Sequence, residues 1–187
     1  MAGTVLVTVS GSVARVTLNR PEVHNAFDDR FILELTGVFE RLAADRAVRA
    51  LLLCANGRSF SAGADLNWMK RTAGYSEDQN LEDARKLAHV LRVLDGMPQP
   101  TVALVQGPAY GGGVGLVACC DIAVAVPEAA FSLSEVRLGL LPAAISPYVV
   151  AAIGARQARR YFLTAERFDA GEARRIGLVH EIAAREE

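Results

Sequence analysis

The segment TVALVQGPAYGGGVGLVACCDIAVAV, residues 101–126, decides the fold. Thr101 to Gln106 is an apolar run of strand length, Gly107 to Gly113 is a junction of small residues, Gly113 to Cys120 reads as a short helix, and Asp121 to Val126 returns as a strand. The same order occurs upstream. Val48 to Cys54 reads as a buried strand, FSAGADL (60–66) is a second small-residue junction, and Ala84, Leu87, Ala88, Leu91 and Leu94 form a helical stripe that ends near Gly96-Met97-Pro98. A strand, a turn and a helix in repeated succession predict an α/β fold with crossover connections, compatible with a superhelix of ββα units.

The two junctions also carry the first chemical signal. A backbone presents a bare N–H to a ligand only where side chains do not obstruct the approach, so Ala and Gly at such places suit an oxyanion hole. A helix starting just after each junction adds partial positive charge. For either segment alone, tight-turn glycines explain the composition equally well.

Outward from these segments, Val5 to Val9 and Ala14 to Leu18 flank Gly11-Ser12 as a hairpin. Phe31, Leu35, Val38 and Leu42 recur at i, i+4, i+7 and i+11, which predicts an amphipathic helix. Gly154 to His180 reads as short helices with Arg156, Arg159, Arg160, Arg174 and Arg175 on solvated faces. No linker or charge block divides residues 1–187, which are expected to form a single domain.

With 51% hydrophobic residues and a net charge of −1, the chain reads as a globular domain, without the basic excess that recruits nucleic acid or an anionic membrane. Its apolar runs are too short for a transmembrane helix, and Met1-Ala2-Gly3 leads straight into a strand pattern without a basic signal-peptide region. Cys54, Cys119 and Cys120 form no CxxC pair, so free thiols in the cytoplasm are the expectation. His24, His89 and His180 are scattered and predict no metal site.

Three stretches in order, Leu18-Asn19-Arg20-Pro21 with Asn25-Ala26, Phe60 to Leu66, and Gly111-Gly112-Gly113 ahead of Cys120-Asp121-Ile122, resemble the enoyl-CoA hydratase/isomerase (crotonase) superfamily. The resemblance implies the crotonase superhelix and an acyl-CoA thioester whose carbonyl oxygen is held by the N–H groups of Ala64 and Gly112. An enolate formed beside a thioester needs such donors, because they act on charge that develops only during the reaction. It also implies substrate contacts from Val23, Ala26, Ala62, Asp65, Leu66, Gly111, Ser134 and Leu138, no cofactor beyond the CoA of the substrate, and a homotrimer or hexamer. Family members carry further C-terminal helices, so that segment is expected to be truncated here.

Glu135 matches the position of the family's catalytic glutamate, a proton carrier that Val136, Leu138 and Leu140 would hold in apolar surroundings. The local alternative is a strand residue paired with Arg137. Two-carboxylate hydratases carry a second glutamate where this chain has Gly115. One acid suffices for the 1,3-proton shift of the isomerases, whereas Gly139 to Val150 and its flanks resemble the methylglutaconyl-CoA and isohexenylglutaconyl-CoA hydratase branch, which favours hydration. A non-catalytic acyl-CoA binder is the other alternative. GVGLVA (113–118) also fits the dinucleotide pattern GxGxxA, but it begins seven residues after its strand.

Overall fold

A computed structural model describes residues 3–184. Alternating apolar positions make Val5–Ser10 (β1) and Val13–Leu18 (β2) an antiparallel hairpin in the expected place, with Gly11 at φ 57° in the turn. The chain then enters helix α1 (Asp29–Ala44), capped by Asp28, whose side chain accepts the Phe31 N–H at 2.8 Å. Phe31, Leu35, Val38 and Leu42 are all at most 5% exposed, so the predicted stripe is the buried face.

Strand β3 (Ala50–Ala55) pairs in parallel with β2. Two helices follow, α2 (Leu66–Thr72), begun by Asp65, and α3 (Glu77–Asp95), begun by a capping box of Ser76 and Gln79. Strand β4 (Thr101–Val105) joins β3, a two-residue strand β5 (Ala109–Tyr110) precedes helix α4 (Gly112–Cys119), and β6 (Ile122–Ala125) joins β4. A parallel sheet order β2-β3-β4-β6 built through helices is the crossover architecture expected from residues 101–126.

The remaining strands are short. β7 (Ala130–Ser132) pairs with β5 and with β8 (Phe168–Asp169) in a second, three-stranded sheet, and β9 (Glu181–Ile182) completes the main sheet beside β6. Between them lie helices α5 (Ser146–Thr164) and α6 (Ala170–Ile176). Short helices follow Gly154 as expected: the backbone of α5 breaks helical geometry at Gly154 (φ 75°, ψ 153°), so a first segment begun at Ser146, with Pro147 in its first turn, meets a second at that residue, and α6 comes after. Arg156, Arg159, Arg160, Arg174 and Arg175 are exposed as expected, and Arg160 and Arg175 pair with Glu166 and Glu172. Cys54, Cys119 and Cys120 are buried free thiols. No described helix is long and apolar enough to cross a membrane.

Candidate active site

The two small-residue junctions meet. Phe60 and Ser61 donate their N–H groups to Pro108 O, and Tyr110 N–H donates to Ser61 O at 2.8 Å, so the loop after β3 lies along the loop after β4. Gly63 (φ 82°) and Gly111 (φ 49°) sit at the point of closest approach: a Cβ on Gly63 would come 2.9 Å from Tyr110 O and 3.7 Å from Gly111 Cα. Both positions need glycine, for conformation and for space.

A third segment fixes the first loop from below. Asn25, fully buried and left-handed at φ 53°, donates from Nδ2 to Asn56 O and Ser59 O and accepts the Arg20 N–H at Oδ1. Phe27 N–H donates to Gly63 O (2.7 Å) and Asp65 N–H donates to Phe27 O (2.8 Å). These bonds bracket Ala64 and leave its own N–H without a protein acceptor among the described residues. Gly112, first residue of α4, is likewise without one, as expected at a helix start. Phe27 packs beneath it so closely that a Cβ on Gly112 would lie 2.6 Å from the ring.

Glu135 stands beside these donors. It opens a 3-10 turn, Glu135–Leu138, closed by Gly139 at φ 71°. The alternative of a strand residue paired with Arg137 is therefore corrected: the turn rotates the two apart, and Arg137 Nη2 donates to Ala165 O at 3.0 Å. Glu135 Oε1 lies against Gly111, where an added Cβ would approach it to 3.0 Å, and Oε2 is buried without a hydrogen-bond partner. Burial pushes the carboxyl above the usual carboxylate range, only partly offset by its own backbone N–H.

Ala62, Gly63, Ala64, Leu66, Gly111, Gly112, Ser134, Glu135 and Leu138 all line one cavity of about 380 Å³. Val23, Ala26 and Asp65 do not. Val23 belongs to a 3-10 turn, Ala26 is buried with its carbonyl accepting from Arg20, and Asp65 caps α2 while its Oδ2 lies 3.6 Å from Arg20. The exposed His24 pairs with Ser59 Oγ at 3.0 Å. Phe27, Met69, Leu87, Leu140, Leu141 and Ile145 also line the walls; of these, Leu87 belongs to the helical stripe and Leu140 to the apolar surroundings expected for Glu135. Trp68 is in the wall, whereas Phe131 is core and Tyr148 lies elsewhere. Among the described residues Glu135 is the one charged side chain in the lining.

The arrangement supplies two N–H groups without protein acceptors among the described residues, one buried acid and an apolar chamber, which is suited to moving a proton next to a polarised carbonyl. Among the described residues no group of three His, Cys, Asp or Glu side chains is placed to hold a metal ion.

Comparison with known proteins identifies the family. Residues 8–187 match the family described as enoyl-CoA hydratase/isomerase. The crystal structure of an enoyl-CoA hydratase from Shewanella pealeana superposes with a TM-score of 0.95 at 51% identity, covering 97% of this chain and 68% of that one. Among curated proteins, the enoyl-CoA hydratase ACTT6 of Alternaria alternata is 35% identical over 97% of this chain, and the short-chain-enoyl-CoA hydratase of Clostridium acetobutylicum is 34% identical over 95% of it. The chain spans 59% of the length of the first and 68% of the second.

Proposed function

Because the chain belongs to the enoyl-CoA hydratase/isomerase family, we propose that it binds an acyl-CoA thioester and adds water across the 2,3 double bond of an enoyl-CoA. The observation that carries the reading is the placement of the free N–H groups of Ala64 and Gly112 in one cavity wall with Glu135. The thioester oxygen accepts both N–H groups. Charge arriving on that oxygen during reaction is then met by donors already in place.

Glu135 does the proton work. As a carboxylate it takes a proton from water while the water oxygen bonds to Cβ and the alkene electrons move to the thioester as an enolate. The same proton then passes from Glu135 to Cα, and the enolate collapses to the hydroxyacyl product. Since Glu135 is the only charged side chain lining the cavity among the described residues, a carboxylate on the substrate is a second acid that could help to hold water, which favours a 3-methylglutaconyl-CoA-like substrate.

A second reading has its own support. The place beside Gly115 is filled by Ile145, so the site has one protein acid, and one acid is sufficient to move a proton from Cα to Cγ of a 3-enoyl-CoA. A cytoplasmic homotrimer or hexamer without a separate cofactor belongs to the same proposal. Turnover decides between the readings. Loss of enoyl-thioester absorbance with 3-methylglutaconyl-CoA or crotonyl-CoA supports hydration, appearance of that absorbance from a 3-enoyl-CoA supports isomerisation, and tight acyl-CoA binding without either leaves a binder.

A further inference from the structure

Gly115 lies within α4, one turn beyond the donor Gly112, with its N–H bonded to Gly111 O at 3.1 Å. Its backbone is in the ordinary helical range, so nothing conformational requires glycine there, and a glycine within a helix weakens it relative to alanine. The neighbour requires it. A Cβ on Gly115 would fall inside the contact distance of Ile145 Cγ2, 3.0 Å from Ile145 Cβ and 3.4 Å from Leu91 Cδ2. Ile145 is 2% exposed, directly precedes α5, and lines the same cavity as Gly112 and Glu135.

We infer that Ile145 is a specificity-determining residue: its side chain occupies the space into which a side chain at position 115 would project, and so keeps the hole a one-carboxylate site. The inference rests on the reading of Ala64, Gly112 and Glu135 as the reacting groups. Among the described residues, Glu135 is the one carboxylate in the chamber wall, and Ile145 fills the space that a side chain at position 115 would enter. Glu135 must then both remove and return each proton. In isomerisation this is natural, since the proton leaves Cα of a 3-enoyl-CoA as a dienolate forms and is returned to Cγ as the double bond settles at C2–C3. Hydration needs the same carboxylate to orient water before deprotonating it. Ile145 therefore biases the balance between the two reactions toward the proton shift.

The test combines a stability cycle with a rate ratio. Gly115→Ala should lower the melting temperature by roughly 3–10 °C through overpacking, and the same change should cost markedly less in an Ile145→Ala background. The double variant G115E/I145A should then raise the ratio of crotonyl-CoA hydration to 3-hexenoyl-CoA isomerisation at least ~10-fold over I145A, the scale of effect typical of an added positioned acid or base. A Gly115→Ala variant as stable as the parent, an equal cost in both backgrounds, or an unchanged ratio in the double variant would overturn the inference. Parent protein that turns over neither substrate contradicts the proposed function alone, and the melting cycle still decides whether Ile145 blocks position 115.

Discussion

Glu135 Oε1 and Gly111 Cα are in direct apposition, such that a methyl group on Gly111 would sit 3.0 Å from the carboxylate oxygen. The contact ties the acid to the loop that carries the Gly112 donor. Gly111 also adopts φ 49°, ψ −117°, where an L side chain is strained by about 1–3 kcal/mol. Gly111→Ala should therefore displace the carboxylate and reduce kcat by about 100-fold, the cost of an ångström-scale misplacement, with a smaller change in KM. Steady-state kinetics on purified, folded variant check this.

Burial sets the pH behaviour of Glu135. Its carboxyl titrates above the usual carboxylate range, and it acts as a carboxylate, so kcat/KM should fall as the pH is lowered through a midpoint above that of an exposed glutamate. The same shift acts on stability. A folded state that holds its proton to higher pH than the unfolded chain loses stability as pH rises between the two values, so Glu135→Gln should gain stability over the parent on going from pH 4 to neutrality. Denaturant melts of both proteins across that range measure the difference, and parallel curves would contradict it.

In the proposed function Ala64 acts through its backbone. Replacing its amide by an ester, which removes the N–H and keeps the side chain, should lower kcat about 100- to 1000-fold while KM changes little. The bonds on either side, Phe27 N–H to Gly63 O and Asp65 N–H to Phe27 O, do not use this N–H, so the loop should keep its shape. The circular dichroism spectrum and melting temperature of the semisynthetic protein report on that independently.

Asp65 holds the start of α2. Its Oδ1 accepts the N–H groups of Asn67 and Trp68 at 2.8 and 3.1 Å, and its Oδ2 faces Arg20. Asp65→Ala should cost about 1–2 kcal/mol of stability in urea unfolding, and Asp65→Ser, which keeps a capping oxygen, should recover about half or more of it.

The frame of the molecule was legible because its signals are local. Alternation in Val5 to Leu18 and the spacing of Phe31, Leu35, Val38 and Leu42 each report one element burying one face, and both appear in place. The two junctions were readable for a related reason, since small residues at a strand-to-helix junction signal exposed backbone, whereas Ala64 and Gly112 as the particular donors follow from the family resemblance alone. What could not be read depends on distant packing. Ser132 to Val136 alternates like a strand, yet the left-handed Gly139 closes it into a 3-10 turn that aims Glu135 at the hole. Phe27 and Ile145 are apolar residues like any others in sequence, and only the folded chain sets them against Gly112 and Gly115. Asp65 and Ala26 both meet Arg20, a contact that their places in the family motifs do not announce.

The most direct measurement of the central claim is exchange at Cα of a saturated acyl-CoA, such as butyryl-CoA, in deuterium oxide, followed by mass spectrometry. It requires the Ala64 and Gly112 donors and Glu135 acting together, and is independent of whether water or a second carbon takes part afterwards. The account predicts catalysed deuterium incorporation confined to Cα, abolished in Glu135→Gln while butyryl-CoA still binds. Exchange at an undiminished rate in Glu135→Gln, or none in the parent protein with butyryl-CoA bound, would contradict it.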